Sequence, residues 1–255
     1  MPLKDGDFVL VEYKVSVKET GELVDTTDPE EAKKTGVFDE RERYGPRLVV
    51  VGEGRLIPGL EKIIKELDEG QERELEIPPK EGFGERDPSK IKILPRNQFI
   101  RSGVVPEPGK VVEIDGQVAT IRSVSGGRVV VDFNHPLAGK TLKGWVKVVK
   151  VLDSVEERVK HLILRRLPPA FTEGDIEVQY EGDSKKVIVA MNEKALLYAD
   201  MQLAKRIVAN EVRKYLHEQV REIQFIETIR LAKEGEAEKA EEQSGEQPQQ
   251  ASQED

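Results

Sequence analysis

The chain has 255 residues, 37% of them hydrophobic and 35% charged, with a formal net charge of −9. That length suits one to three domains. Having no cysteine, it cannot build disulfide scaffolds, thiolate zinc sites, iron–sulfur clusters or a cysteine nucleophile, and three histidines argue against a histidine-built metal centre.

Val9, Val11, Tyr13, Val15 and Val17 share one face of a strand over Phe8–Val17. Residues 19–22 turn the chain, and 23–27 return as a second strand with Asp25 inside it. Residues 28–47 are polar and broken by Pro29, Gly36, Gly45 and Pro46, which predicts a long loop with at most a short helix. A short apolar strand at 48–51 precedes a turn at 52–54. Pro58 suits the first position of a helix, Leu60, Ile63, Ile64 and Leu67 follow at helical spacing, and Gly70 is the predicted stop. Residues 72–77 alternate as a strand halted by Pro78 and Pro79.

The character changes at 87–136, where seven basic and five acidic residues give net +2. Short β-like pieces lie at 91–94, 111–114, 118–124 and 128–133, with Asp115-Gly116 and Gly126-Gly127 as hairpin turns. This predicts a small all-β module inserted into another domain, because 145–152 alternates again and should pair back into the first sheet. From Val155 the expectation is an α+β domain. Its helix over 155–167 precedes hairpin strands at 176–180 and 187–191. A long helix follows, capped by Asn192 and striped by Leu196, Ala199, Leu203 and Ile207, and then a last strand carrying Ile223, Phe225 and Ile229. Met191 and Met201 read as packing residues.

Residues 232–255 hold eight acids and two lysines, net −6, which leaves −3 of the total for the other 231 residues. With no apolar side chain larger than alanine, this segment is predicted to be a disordered, solubilising acidic tail. No basic nucleic-acid footprint, apolar leader or run long enough to span a membrane stands out, so a soluble cytoplasmic protein is expected.

The glycine pairs Gly52/Gly54 and Gly82/Gly84 complete no phosphate-binding motif and read as turn glycines. Asp25 by itself is open between a turn cap and a functional carboxylate, and His135 by itself is a loop histidine.

Four segments together are specific: Leu23-Val24-Asp25-Thr26-Thr27, Val51-Gly52-Glu53-Gly54-Arg55-Leu56-Ile57-Pro58-Gly59-Leu60-Glu61, Glu81-Gly82-Phe83-Gly84-Glu85-Arg86-Asp87-Pro88 and Asn134-His135-Pro136-Leu137-Ala138-Gly139. In this order they resemble FKBP-type peptidyl-prolyl cis-trans isomerases, most closely the SlyD-like branch, in which an insert-in-flap domain interrupts the isomerase domain. The segment after 154 is similar to the extra domain of the long archaeal members. The resemblance implies an α+β fold: an antiparallel half-barrel sheet with one short helix, an inserted small all-β domain and a C-terminal α+β domain. The implied boundaries are 1–86 plus 137–154, 87–136, 155–231 and the tail 232–255.

It implies prolyl isomerisation without cofactor or metal. Tyr13, Asp25, Ile57 and Phe83 would be catalytic, and Val24, Val49, Leu56, Leu60, Phe133 and His135 would contact substrate. Phe83 stands where many relatives have tyrosine. Gly144 stands where a wall aromatic is common, which would open one side of the pocket, with Trp145 facing the other side of the sheet. The insert would bind unfolded chains through Ile91, Ile93, Leu94, Phe99, Val104 and Val105. Implied partners are unfolded proteins and proline-containing peptides, with no nucleic acid and no membrane, and a homodimer through the C-terminal domain is an open alternative. The competing readings are a non-catalytic holdase on the same fold, motivated by Gly144 and Phe83, and a nickel metallochaperone, which the His- and Cys-free tail disfavours.

Overall fold

The structure, a computed structural model, describes residues 3–229 and divides into two compact units between Ser154 and Val155. The acidic tail at 232–255 lies outside the described residues.

The first unit is organised by β1 (Phe8–Val17). It pairs antiparallel with β2 (Leu23–Thr26) and β3 (Arg47–Val50), and with β9 (Leu142–Val151), which in turn pairs with β4 (Glu72–Ile77). Strand alternation sends Val9, Val11, Tyr13, Val15 and Val17 of β1, with Val146 and Val148 of β9, to one face. There they pack against Leu60 and Ile64 of α2 (Pro58–Ile64). Gly59 permits the close approach of that helix: a Cβ there would sit 2.6 Å from Cγ2 of Ile77. The helix ends earlier than Gly70. The amides of Glu66 and Leu67 bond three residues back, tightening its end while Leu67 stays buried. Within the polar stretch, α1 (Pro29–Thr35) forms because Oδ1 of Asp28 accepts from the amides of Glu30 and Glu31 and Gly36 ends the helix at φ 76°.

Between β4 and β9 the chain builds a second sheet in the order β5 (Ile91–Pro95), β8 (Arg128–Asp132), β7 (Gln117–Ser125), β6 (Val111–Ile114), antiparallel throughout. Asp115 and Gly116 have φ of 52° and 75°, as their hairpin turn requires. The all-β expectation needs one correction: α3 (Arg96–Arg101) follows β5. It buries only Phe99, so no apolar period announces it in the sequence. Phe99 closes a core with Val112, Ala119, Ile121, Val129 and Val131. The opposite face of this sheet is bare: Ile91, Ile93, Val111 and Val118 are exposed, Val118 at 68%.

The two crossings into this sheet are laced to one another. Buried Asp132 accepts through Oδ2 from the guanidinium of Arg86 and from Nε of Arg122 at 3.0 Å, and through Oδ1 from the Asn134 amide at 3.0 Å and Nδ2 at 2.8 Å. Asn134 also accepts from the Asp87 amide and donates to its carbonyl, both at 2.9 Å.

The second unit has α4 (Val155–Leu164), then β10 (Ile176–Glu181) and β11 (Lys186–Met191) as an antiparallel pair. The last strand, β12 (Glu222–Glu227), joins β11 in parallel. The long helix predicted after Asn192 is instead two pieces, α5 (Lys194–Leu197) and α6 (Met201–Tyr215), separated by extended Tyr198. Its buried stripe is Met201, Ala204, Val208 and Val212, so Leu196 and Leu203 point to solvent. Met191 and Met201 are buried packing residues.

Candidate active site

The site forms on the concave face of the first sheet. Tyr13 projects from the centre of β1 and is only 2% exposed, although its hydroxyl reaches the rim. That hydroxyl donates to Oδ2 of Asp25 at 2.7 Å and accepts from Nη1 of Arg47, the first residue of β3. The Arg47 guanidinium lies 5.4 Å above the Tyr13 ring, 3.5 Å from Oδ2 of Asp25 and 3.9 Å from Oε2 of Glu42. The main chain holds this arrangement in register, with Tyr13 N–H donating to Oγ1 of Thr27 at 2.9 Å and Thr27 N–H to the Tyr13 carbonyl at 3.0 Å. Burial pushes the Tyr13 pKa well above its ordinary value; the charge of Asp25 adds to the rise and Arg47 opposes it.

Ile57 enters at the N-cap of α2 with extended backbone, and its carbonyl accepts from Leu60 and Glu61 at 3.0 and 3.2 Å. Its own amide N–H has no partner among the described residues. Phe83 sits after β4 between two glycines, and its ring stacks on His135 with centroids 4.5 Å apart and planes 2° from parallel. Nδ1 of His135 accepts from the Leu137 amide at 3.2 Å. A bond of 2.8 Å from Gly139 N–H to the Gly84 carbonyl ties together the segments that carry these two rings.

One hydrophobic cluster unites these parts. Tyr13, Val49 and Leu60 are buried in it, and Val24, Leu56, Ile57, Phe83 and Leu137 pack on it part-exposed. The structure thus gathers Tyr13, Asp25, Val24, Val49, Leu56, Ile57, Leu60, Phe83 and His135 into one region, with Val49 and Leu60 as floor rather than accessible wall. Phe133 does not join them. Its amide bonds to the Lys90 carbonyl and its ring packs on the insert core, 5.1 Å from the Lys92 ammonium.

Gly144 opens no gap, contrary to expectation. A Cβ there would already meet Ile77 and Leu75 at 3.1 Å and Leu60 at 3.4 Å, so aliphatic side chains fill the space. The non-catalytic reading loses half its motive. Trp145, as expected, faces away from the cluster. Arg47 and Leu137 were missed; an arginine opening an apolar strand was the available signal for the first.

In the insert, Ile91, Ile93 and Val105 are exposed, whereas Leu94 and Val104 pack against the core and Phe99 is buried at 5% exposure. Phe99 is therefore withdrawn from the apolar groove, because it is the residue that α3 contributes to the core. Val111 and Val118 on the bare face were missed, although their strands were predicted. Among the described residues no cluster of three potential metal ligands occurs, and no helix is long and apolar enough to cross a membrane.

Comparison with known proteins follows the same divisions. FKBP-type peptidyl-prolyl cis-trans isomerase matches residues 2–100, the FKBP26 IF domain 92–137 and the FKBP26 C-terminal domain 155–230. The chain is 36% identical over 155 residues to the short-type peptidyl-prolyl cis-trans isomerase of Methanocaldococcus jannaschii, covering 61% of this chain and 98% of that protein. It is 32% identical over 157 residues to the SlyD isomerase of Helicobacter pylori, covering 59% and 75%. A probable FKBP-type 16 kDa isomerase of Pseudomonas fluorescens is 33% identical over 139 residues, covering 52% and 81%. A relative matched across nearly its whole length, joined to a sheet that assembles the expected pocket residues, identifies the chain as a member of the FKBP-type peptidyl-prolyl cis-trans isomerase family and as an enzyme of that class.

Proposed function

We propose that this isomerase acts on X–Pro bonds of folding proteins, with Tyr13, Asp25, Ile57 and Phe83 at the reacting bond and the inserted sheet holding unfolded chain nearby. The observation that carries the catalytic part is the Arg47–Tyr13–Asp25 hydrogen-bond chain at the edge of a hydrophobic cluster that also takes Ile57 and Phe83. Rotation about an X–Pro bond faces a barrier of about 18–20 kcal/mol because amide resonance must be broken. An apolar pocket favours the twisted, less polar imide over the planar one and spares the reorganisation of water. Each ~1.4 kcal/mol removed gives about tenfold in rate. The Ile57 N–H holds the substrate carbonyl. The hydrogen of the Tyr13 hydroxyl is committed to Asp25, so Tyr13 positions that carboxylate, and Asp25 orients the dipole of the twisting bond.

The bare apolar face of the insert supports the second part. Ile91, Ile93, Val111 and Val118 offer an extended chain an apolar seat, and tethering that seat beside the pocket raises the local concentration of prolyl bonds. Uncatalysed isomerisation takes tens of seconds or longer, slow enough to limit folding. Exposed Leu197, Leu203 and Ile226 make the C-terminal unit the proposed surface for pairing with a second copy, which sedimentation equilibrium checks: a monomer at all concentrations removes it.

A protease-coupled proline-tetrapeptide assay tests the catalytic assignment. The Asp25→Ala/Phe83→Ala double variant should lose about 10²-fold in kcat/KM while keeping the fold. Retained turnover in the double variant, or none in the parent, overturns it.

A further inference from the structure

We propose that the outer face of the first sheet carries a second ligand site, separate from the prolyl pocket, that takes a protonated alkylamine or guanidinium group. A cavity of about 330 Å³ lies there against the first turn of α1. Alternation along β1 and β9 sends the Tyr13 and Val146 side chains to the catalytic cluster, and Glu12, Lys14 and Trp145 to the opposite face, so that Tyr13, which also lines the cavity, is the residue the two sites share. Lys14 pairs in register with Thr26 on one side and Trp145 on the other, so the cavity floor is one cross-strand row. Asp28 and Glu31 line it from α1. The volume lies at the small end of the range for small-molecule pockets, about 300–1,000 Å³, and suits one aliphatic arm with a charged head.

Charge selects the occupant. The lining carries three carboxylates, Glu12, Asp28 and Glu31, against one ammonium, Lys14. Lys14 is ion-paired to Glu31, and Asp28 is occupied in capping α1. Glu12 has no ion-pair or hydrogen-bond partner among the described residues. Lys147 stands in register between Glu12 and Glu72, one ammonium for two carboxylates. An anion would enter a net negative cavity, and a neutral apolar guest would desolvate Glu12 without pairing it. A cation pairs with Glu12 and lies against the face of Trp145, the side chain best suited to cation–π contact.

Trp145 is the only tryptophan of the chain, so its fluorescence reports this site alone. The experiment titrates the full chain with 1,4-diaminobutane, with N-acetyl-lysine amide as a proline-free basic side chain, and with neutral N-acetyl-glutamine amide. Saturable change is expected with the two cations at about millimolar dissociation constants. Glu12→Gln, close in size, should weaken both about tenfold while tetrapeptide isomerisation stays unchanged. Tighter binding of the diamine marks a free amine as the source, and tighter binding of the lysine amide marks a basic residue of a polypeptide. In Trp145→Leu, calorimetry should show the cations no longer binding. Non-saturating change, equal response to the glutamine amide, or undiminished affinity in Glu12→Gln overturns the proposal.

Discussion

The two sheets of the first unit solve opposite problems with similar residues. The larger one is rich in valine, buries its concave face under α2 and brings Arg47, Tyr13 and Asp25 into contact at the edge of that apolar surface. The inserted one closes one face with Phe99 and leaves isoleucines and valines on the other in water. A rotating imide needs a site of fixed shape and orientation, which favours a covered floor and hydrogen-bonded rim. Clients of many sequences need area without fixed partners, which favours an uncovered, shallow sheet face. The catalytic sheet and the sheet proposed for capture thus differ in how much of their surface is covered, more than in which side chains compose it.

The contrast is broken most directly by replacing 88–133 with a short linker, which keeps His135 against Phe83. Refolding of a proline-limited protein should slow about 10²-fold relative to the parent, while tetrapeptide turnover stays within about threefold. Equal losses would mean that the two sheets do not divide the work. Gly144→Phe asks whether the covered face is full. Inserting a ring against Ile77, Leu75 and Leu60 should cost about 2–3 kcal/mol, seen as a lowered Tm, and unchanged stability would show a gap there after all.

Asp132→Asn should cost about 2 kcal/mol, discounted from a fully buried pair because Arg86 and Arg122 are part-exposed, and should raise hydrogen exchange in the insert. Burial acts to raise the Asp132 pKa, but hydrogen bonds from Asn134 and Arg122 and the charge of Arg86 outweigh it and hold the group below its ordinary 3.8. The associated stability is therefore present above that value and lost as pH falls through the depressed one. Acid melting of the parent should show this loss and the Asn variant should not; identical acid profiles would count against it.

Ile93→Ser should reduce refolding catalysis several-fold while shifting stability by no more than about 0.5 kcal/mol, because the side chain is already in water. A large destabilisation would show that the bare face packs on something. The smallest effect is spectroscopic. Absorbance at 295 nm should show one tyrosine ionising later than its ordinary value of 10.0, and the lag should vanish in Tyr13→Phe. The neutral phenol stabilises the fold at lower pH, and this contribution fades as pH rises above the ordinary value. A titration with no late component would mean that Tyr13 is not enclosed as described.

The strands and turns were legible because valine alternation and positive-φ turn residues are local signals. The pocket was legible only through four ordered segments, since Asp25 alone is ambiguous and Phe83 reaches His135 across 52 positions of sequence. What stayed hidden was tertiary. An arginine opening an apolar strand marks Arg47 as unusual, but not that its guanidinium will lie over Tyr13, since the contact exists only once β3 pairs with β1. Phe99 looked available because a lone aromatic cannot show which side of a small sheet it will close. The break at Tyr198 shifted the buried stripe of α6 onto Met201 and Ala204, although the apolar spacing read from Asn192 fits one uninterrupted helix.

The lacing at Asp132 governs how the insert can move. One carboxylate grips arginines from both the entering chain and a strand within the insert, and Asn134 fastens the returning chain to Asp87. The two threads are therefore fastened to one another at a single joint, and any movement of the insert would turn about that joint. Under the proposed capture role, a client on the exposed face would reach the pocket only through that joint, so its geometry would limit which prolines along an unfolded chain can be presented.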